Sequence, residues 1–212
     1  WAHTDDNHAW VEVWVNDGPQ GAGWYFLGAC EPEPVLNLGW FNQPASRGML
    51  MHTKVYGKYY GPEDKIEQQS SFCEINVTGN YAQTARSAVK VVDEDGKPVG
   101  GANVHFKIYN YGEFYSAVKQ TSDAQGKCSI LTGKGDMMVW ASKDGRYGFQ
   151  KLTAGTQDAT IVLEHQGGER YAANFDLTPP AGHDNLPYVS AEQAADNEAC
   201  KAREDSIRNA YV

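Results

Sequence analysis

Hydrophobic and polar positions run through this chain in two rhythms. Residues 9–15, AWVEVWV, alternate around Glu12 and are rich in Trp and Val, which predicts a buried strand. NDGPQGAG follows as a turn: Asn16, Asp17, Gly18, Pro19 and the glycines at 21 and 23 supply the positive φ values and the fixed φ of a hairpin loop. Residues 24–30, WYFLGAC, predict a second strand that pairs antiparallel with the first. The prolines of EPEPVLNLGWF interrupt any regular element, so that stretch reads as an ordered loop. Strand character returns in RGMLMHTKVYG, residues 47–57, and the polar stretch 58–71 reads as a loop or connector, with a domain boundary near Phe72.

From Cys73 the second rhythm begins. CEINVTG, SAVKVVD, NVHFKIYNY, SAVKQTSD, KCSILTG, DMMVWAS, GFQKLT and DATIVLEH are short strand-like runs separated by EDGKPVGGA, AQGK, GKG and KDGRYG. Short strands with turn signals about every 8–12 residues predict an antiparallel β-sandwich. QGGERYAANFDLTPPAGHDNLPYV has Gly-Gly and Pro-Pro with little periodicity and reads as a linker or a strap along the surface. Ser190 then fits a helix N-cap, with Gln193 completing a capping box, and the composition is helical to about Tyr211. The expected fold class is mainly β, divided into residues 1–71, a sandwich at 72–165, a linker at 166–189 and a helix at 190–212, a candidate start of another domain.

Composition narrows the partners. A chain of 212 residues forms one or two compact units, and 41% hydrophobic with 21% charged residues marks a chain that folds. Acidic residues outnumber basic ones 27 to 18, and a net charge of -9 repels a phosphate backbone, so no nucleic acid is expected as partner. No run approaches the length of a membrane-spanning apolar segment. Cys30, Cys73, Cys128 and Cys200 are too widely spaced for a CxxC metal or redox motif. Their even number permits two disulfides, and spacing assigns neither pair. The chain opens on Trp1 at the approach to a strand, which suggests a processed or internal piece.

The chemistry-bearing residues sit near the start. DNHAWVEVW places His8 at the head of the first strand, and GWYFLGACEP forms its hairpin partner. The pattern resembles the H-x-W-x-E-V motif of the transglutaminase-like superfamily, matched by His8, Trp10, Glu12 and Val13, and GACEPEPVLNLGWF is similar to large bacterial multidomain members. The resemblance covers about the first quarter of the chain and implies that residues 1–71 are the C-terminal half of a papain-like transglutaminase domain. In that family a cysteine at a helix N-terminus attacks an acyl carbon, a histidine takes its proton, and an acid on the next strand orients the imidazole. Carried over, His8 is the base. Gly28 stands where the family has its Asp, and Glu31 is the nearest carboxylate to replace it. Trp10, Trp14 and Trp24 are expected first as core residues, with Trp10 and Trp24 also candidates for the aromatic wall of a substrate cleft. Only seven residues precede His8, and none of the four cysteines begins a helix beside it, so the nucleophile is expected on an upstream segment of the same protein.

Other readings of the residues stand beside this one. His3, Asp5, Asp6 and His8 offer metal-ligand atoms at a spacing that matches no fixed metal motif, so no metal and no cofactor is expected. Asn76-Val77-Thr78 matches a glycosylation sequon, a triplet that arises often by chance. VVDEDGKPVGGANVHF followed by TSDAQGK resembles the carboxypeptidase-regulatory-like or transthyretin-like modules of bacterial surface proteins, which act as spacers or supports. Tyr109, Tyr111, Phe114 and Tyr115 are candidates for an aromatic platform for sugar. The leading expectation is a transglutaminase-like hydrolase or acyltransferase of protease or amidase type, acting on a protein or peptide, periplasmic or extracellular in a bacterium. The alternative is a non-catalytic structural, carbohydrate-binding or protein-binding module.

Overall fold

The computed structural model describes residues 11–18, 21–28, 36, 45–110, 112–174, 176–182 and 189–211. They form a mainly β protein with one long C-terminal helix. The chain divides into two compact units, one built on residues 44–183 and the other holding residues 8–43 and 184–212.

In the larger unit, β3 (His52–Tyr56), β4 (Lys65–Gln68) and β5 (Phe72–Asn76) make a three-stranded antiparallel sheet with β5 in the centre. The boundary expected near Phe72 falls inside this sheet, because β5 pairs with both earlier strands. The stretch read as a connector contains β4, whose Ile66 packs against the main core. Burying that single apolar residue suffices to hold an otherwise polar segment as an edge strand.

The sandwich follows. Strands β6 (Thr84–Val92), β9 (Lys127–Gly133) and β12 (Ala159–Val162) form one sheet in the order β12-β6-β9. Strands β7 (Asn103–Asn110), β8 (Glu113–Thr121), β10 (Asp136–Lys143), β11 (Arg146–Thr153) and β13 (His165–Gln166) form the other, in the order β13-β11-β10-β7-β8. Period-2 alternation turns Val89 and Val91, Val104 and Phe106, Val139 and Ala141 inward. They meet Val118, Ile130, Leu152 and Ile161 in one core, which Met49 and Leu50 join from ahead of β3. Each such fully buried side chain stabilises the fold by about 1.5–3 kcal/mol relative to exposure. The ladders are antiparallel apart from β6 with β12, which run parallel with Val89 opposite Ala159.

Two turns repeat one device, D-x-x-G-K. The Oδ1 atoms of Asp93 and Asp123 each accept two backbone N–H groups, from Asp95 and Lys97 in the first turn and from Gln125 and Lys127 in the second. Gly96 and Gly126 take φ of 78° and 74°, which a side chain would disfavour. The sequon residue Asn76 is buried and occupied: its Nδ2 donates to the Leu131 carbonyl at 2.8 Å, and its Oδ1 accepts from the Thr78 hydroxyl at 2.6 Å.

The stretch after β13 is a strap. Thr178 N–H donates to Asp136 at 2.7 Å, Asp136 N–H donates to the Thr178 carbonyl at 3.0 Å, and Ala181 N–H donates to the Lys134 carbonyl at 3.1 Å. In the smaller unit, β1 (Val11–Gly18) and β2 (Gly21–Gly28) form an antiparallel hairpin. The helix α1 (Ala191–Ala210) opens on Ser190, whose hydroxyl accepts from Gln193 N–H while the Gln193 side chain accepts from Ser190 N–H, completing the capping box. No residue of α1 is buried.

Candidate functional site

Two places carry candidate chemistry, and each belongs to a different unit. The first is the β1–β2 hairpin. His8, Trp10 and Glu31 lie outside the described residues, as do Cys30 and the His3, Asp5 and Asp6 group, while the strands beside them are described. Val11 stands opposite Gly28, Glu12 opposite Phe26 and Trp14 opposite Trp24. In the sequence His8 precedes Val11 by three positions and Glu31 follows Gly28 by three. Gly28, where an acid was expected, ends β2 alongside the start of β1.

Trp14 and Trp24 meet edge to face, with ring centroids 5.6 Å apart. They are 50% and 59% exposed, so neither is the core residue that the strand composition suggested. Tyr25 and Phe26 supply the buried aromatic rings of this hairpin instead. The Tyr25 hydroxyl donates to the Gly21 carbonyl at 2.8 Å, at the start of its own strand.

Of the described cysteines, Cys73 is fully buried in β5 and Cys200 lies in the middle of α1. Cys128 has its thiol pushed up to about 11, by burial first and then by the negative charge of Asp123. A thiol so raised is almost wholly protonated near neutral pH and a poor nucleophile. All three are free thiols, and none starts a helix. Among the described residues no group of three or more His, Cys, Asp and Glu side chains is placed to hold a metal ion.

The second place is a cleft of about 760 Å³ on the outer face of the five-stranded sheet, within the range of small-ligand sites. Its floor follows from strand register. Trp140 of β10 faces Phe149 of β11 directly and Tyr147 diagonally. Their rings stack, with Trp140 4.5 Å from Tyr147 at 8° and 5.4 Å from Phe149 at 6°. His165 of β13 continues the row beside Tyr147 and Phe149, and Tyr171 from the strap closes it, 4.8 Å from His165 and 5.1 Å from Phe149. The strap is fixed there because the Tyr147 hydroxyl donates to the Glu169 carbonyl at 3.1 Å. At the other end, Lys107 of β7 places its ammonium 5.3 Å from the Trp140 ring centroid, a cation–π contact.

This aromatic row was not anticipated from the sequence. Of the proposed sugar platform, Phe114 lines the cleft and Tyr109 packs against it at 5.2 Å, while Tyr115 stands opposite Ile108, one residue out of phase with Phe114. Tyr111 lies outside the described residues. The available signal was DMMVW followed by RYGF: apolar residues at both parities mark strands covered on two faces, and the outward set Met138, Trp140, Tyr147 and Phe149 is the cleft.

No family model matches the sequence, and no curated protein matches it.

Proposed function

We infer that this chain supplies the histidine-bearing strand of a transglutaminase-like cysteine acyl-transfer site. One observation supports the reading: the strand that continues the H-x-W-x-E-V motif pairs antiparallel with the next, Val11 opposite Gly28. The resemblance implies an imidazole at His8 oriented by a carboxylate, for which Glu31 is the candidate. The reaction would run in two steps. A thiolate formed by proton transfer to His8 attacks the acyl carbon of an amide, and the imidazolium gives its proton to the departing amine as the thioester forms. Water then attacks the thioester with His8 as base, releasing the acid and restoring the thiol. Burial of Cys73, the raised pKa of Cys128 and the mid-helix position of Cys200 make these three described cysteines unsuited as nucleophile, which supports one on a preceding segment of the protein.

The test uses the protein carrying that preceding segment. His8→Ala is expected to abolish thiol-dependent amide hydrolysis and the rapid alkylation of the nucleophilic cysteine by iodoacetamide at neutral pH, read by peptide mapping because the exposed Cys200 also reacts, and Glu31→Gln to lower the rate by about a hundredfold or more. Full activity in His8→Ala overturns the assignment.

The aromatic cleft favours a second reading, a binding module in which the hairpin serves as scaffold. Retention of ligand binding by a chain without hydrolytic activity distinguishes it from the first.

A further inference from the structure

The cleft floor is a row of aromatic rings, stacked at Trp140, Tyr147 and Phe149 and ending on the exposed Tyr171, and two cations stand at its ends. Among the described residues Lys107 touches the Trp140 ring and makes no ion pair, and Arg170, exposed on the strap, has no hydrogen bond or ion pair. The carboxylate of Glu169, the acidic side chain of the cleft lining, is turned back to accept the Gln166 N–H at 3.0 Å. Two unneutralised cations flanking one aromatic floor are conspicuous in a chain of net charge -9.

The face beside the cleft has the same sign. His105, opposite Trp140 across the β7–β10 ladder, has its pKa lowered by burial and then by the charges of Lys119 and Lys107. Its Nδ1 lies 2.9 Å from the Ser116 hydroxyl.

We propose that this cleft binds an anionic oligosaccharide, a chain of uronic acid units, with the C–H face of one pyranose against the exposed Tyr171 ring and its carboxylate at Arg170, and the carboxylate of a further unit at Lys107, at the opposite end of the row. The proposal rests on the binding-module reading and adds the ligand class. Aromatic rings offer a pyranose its apolar face at low entropic cost, and an arginine fork accepts a carboxylate in two parallel hydrogen bonds. A neutral sugar would leave both cations unpaired. An acidic peptide would satisfy the charges without using the length of the aromatic floor.

Calorimetric titration of the whole chain tests this, with trigalacturonate as probe, maltotriose as its neutral counterpart and trisaspartate as the charge control. Trigalacturonate is expected to bind, with affinity falling as salt rises. Arg170→Gln and Tyr171→Ala, both at exposed positions, should each weaken it about tenfold. Circular dichroism shows whether each variant keeps its fold, and Lys107→Gln gives an independent third measurement. Equal or tighter binding of maltotriose, or of trisaspartate, overturns the anionic saccharide and leaves a binding module. No binding of any probe, or trigalacturonate binding unaffected by all three substitutions, overturns the assignment of this cleft altogether.

Discussion

Two hydroxyls in the sandwich core, Ser87 of β6 and Thr132 of β9, are buried without a hydrogen-bond partner. A buried hydroxyl with no acceptor costs more than the methyl that would replace it. Thr132→Val keeps the shape and removes the polar atom, and is expected to raise stability by about 1 kcal/mol in urea denaturation; a lower midpoint contradicts it. Asn76 shows the reverse case. An Asn-x-Thr triplet reads from sequence as a possible modification site. Its function here is to satisfy the Leu131 carbonyl and the Thr78 hydroxyl, since polar groups at that depth need partners. Nothing in the triplet announces that its asparagine is buried, because burial is decided by a strand contributed 55 residues later.

Among the elements, the strap depends on one carboxylate. Asp136 has a fully buried side chain that accepts from Lys151, Thr153 and the Thr178 N–H. Burial pushes its pKa up, but the hydrogen bonds from Thr153, Thr178 and Lys151, with the Lys151 charge, outweigh that and hold it below the ordinary value. A depressed folded pKa contributes stability that is present above the unfolded value of about 3.9 and lost as pH falls through the folded one. Acid should therefore loosen residues 176–181 first. Asp136→Asn is expected to destabilise the protein by about 1–3 kcal/mol and flatten this acid limb, with amide exchange of Thr178 rising. Unchanged exchange in the variant would refute it. The strap was legible as such because Gly-Gly and Pro-Pro exclude regular structure, and α1 was legible from its cap, since both signals are local. Strand β4 was hidden: its only apolar contact comes from Ile66, and three polar neighbours outvote it in any short window. The cleft was hidden for a similar reason, because five aromatic rings on three strands and a strap become neighbours only through register.

For the whole molecule, the unit of residues 44–183 holds its own core and both sandwich sheets. A fragment of those residues is expected to unfold in one cooperative transition with a β-type circular dichroism spectrum. A broad, non-cooperative transition would show that the remaining residues are needed to complete it. The parallel pairing of β6 with β12 has a further consequence, for the order in which this unit is made. Ala88 and Asp158, joined by a hydrogen bond, are 70 residues apart. Strand β6 leaves the ribosome long before its partner exists and keeps one edge unpaired through the synthesis of five intervening strands. Closure of the sandwich is thus a late, long-range event, and the nascent chain carries an open sheet edge, the kind of surface that chaperones shield, from the synthesis of Val92 until that of Ala159.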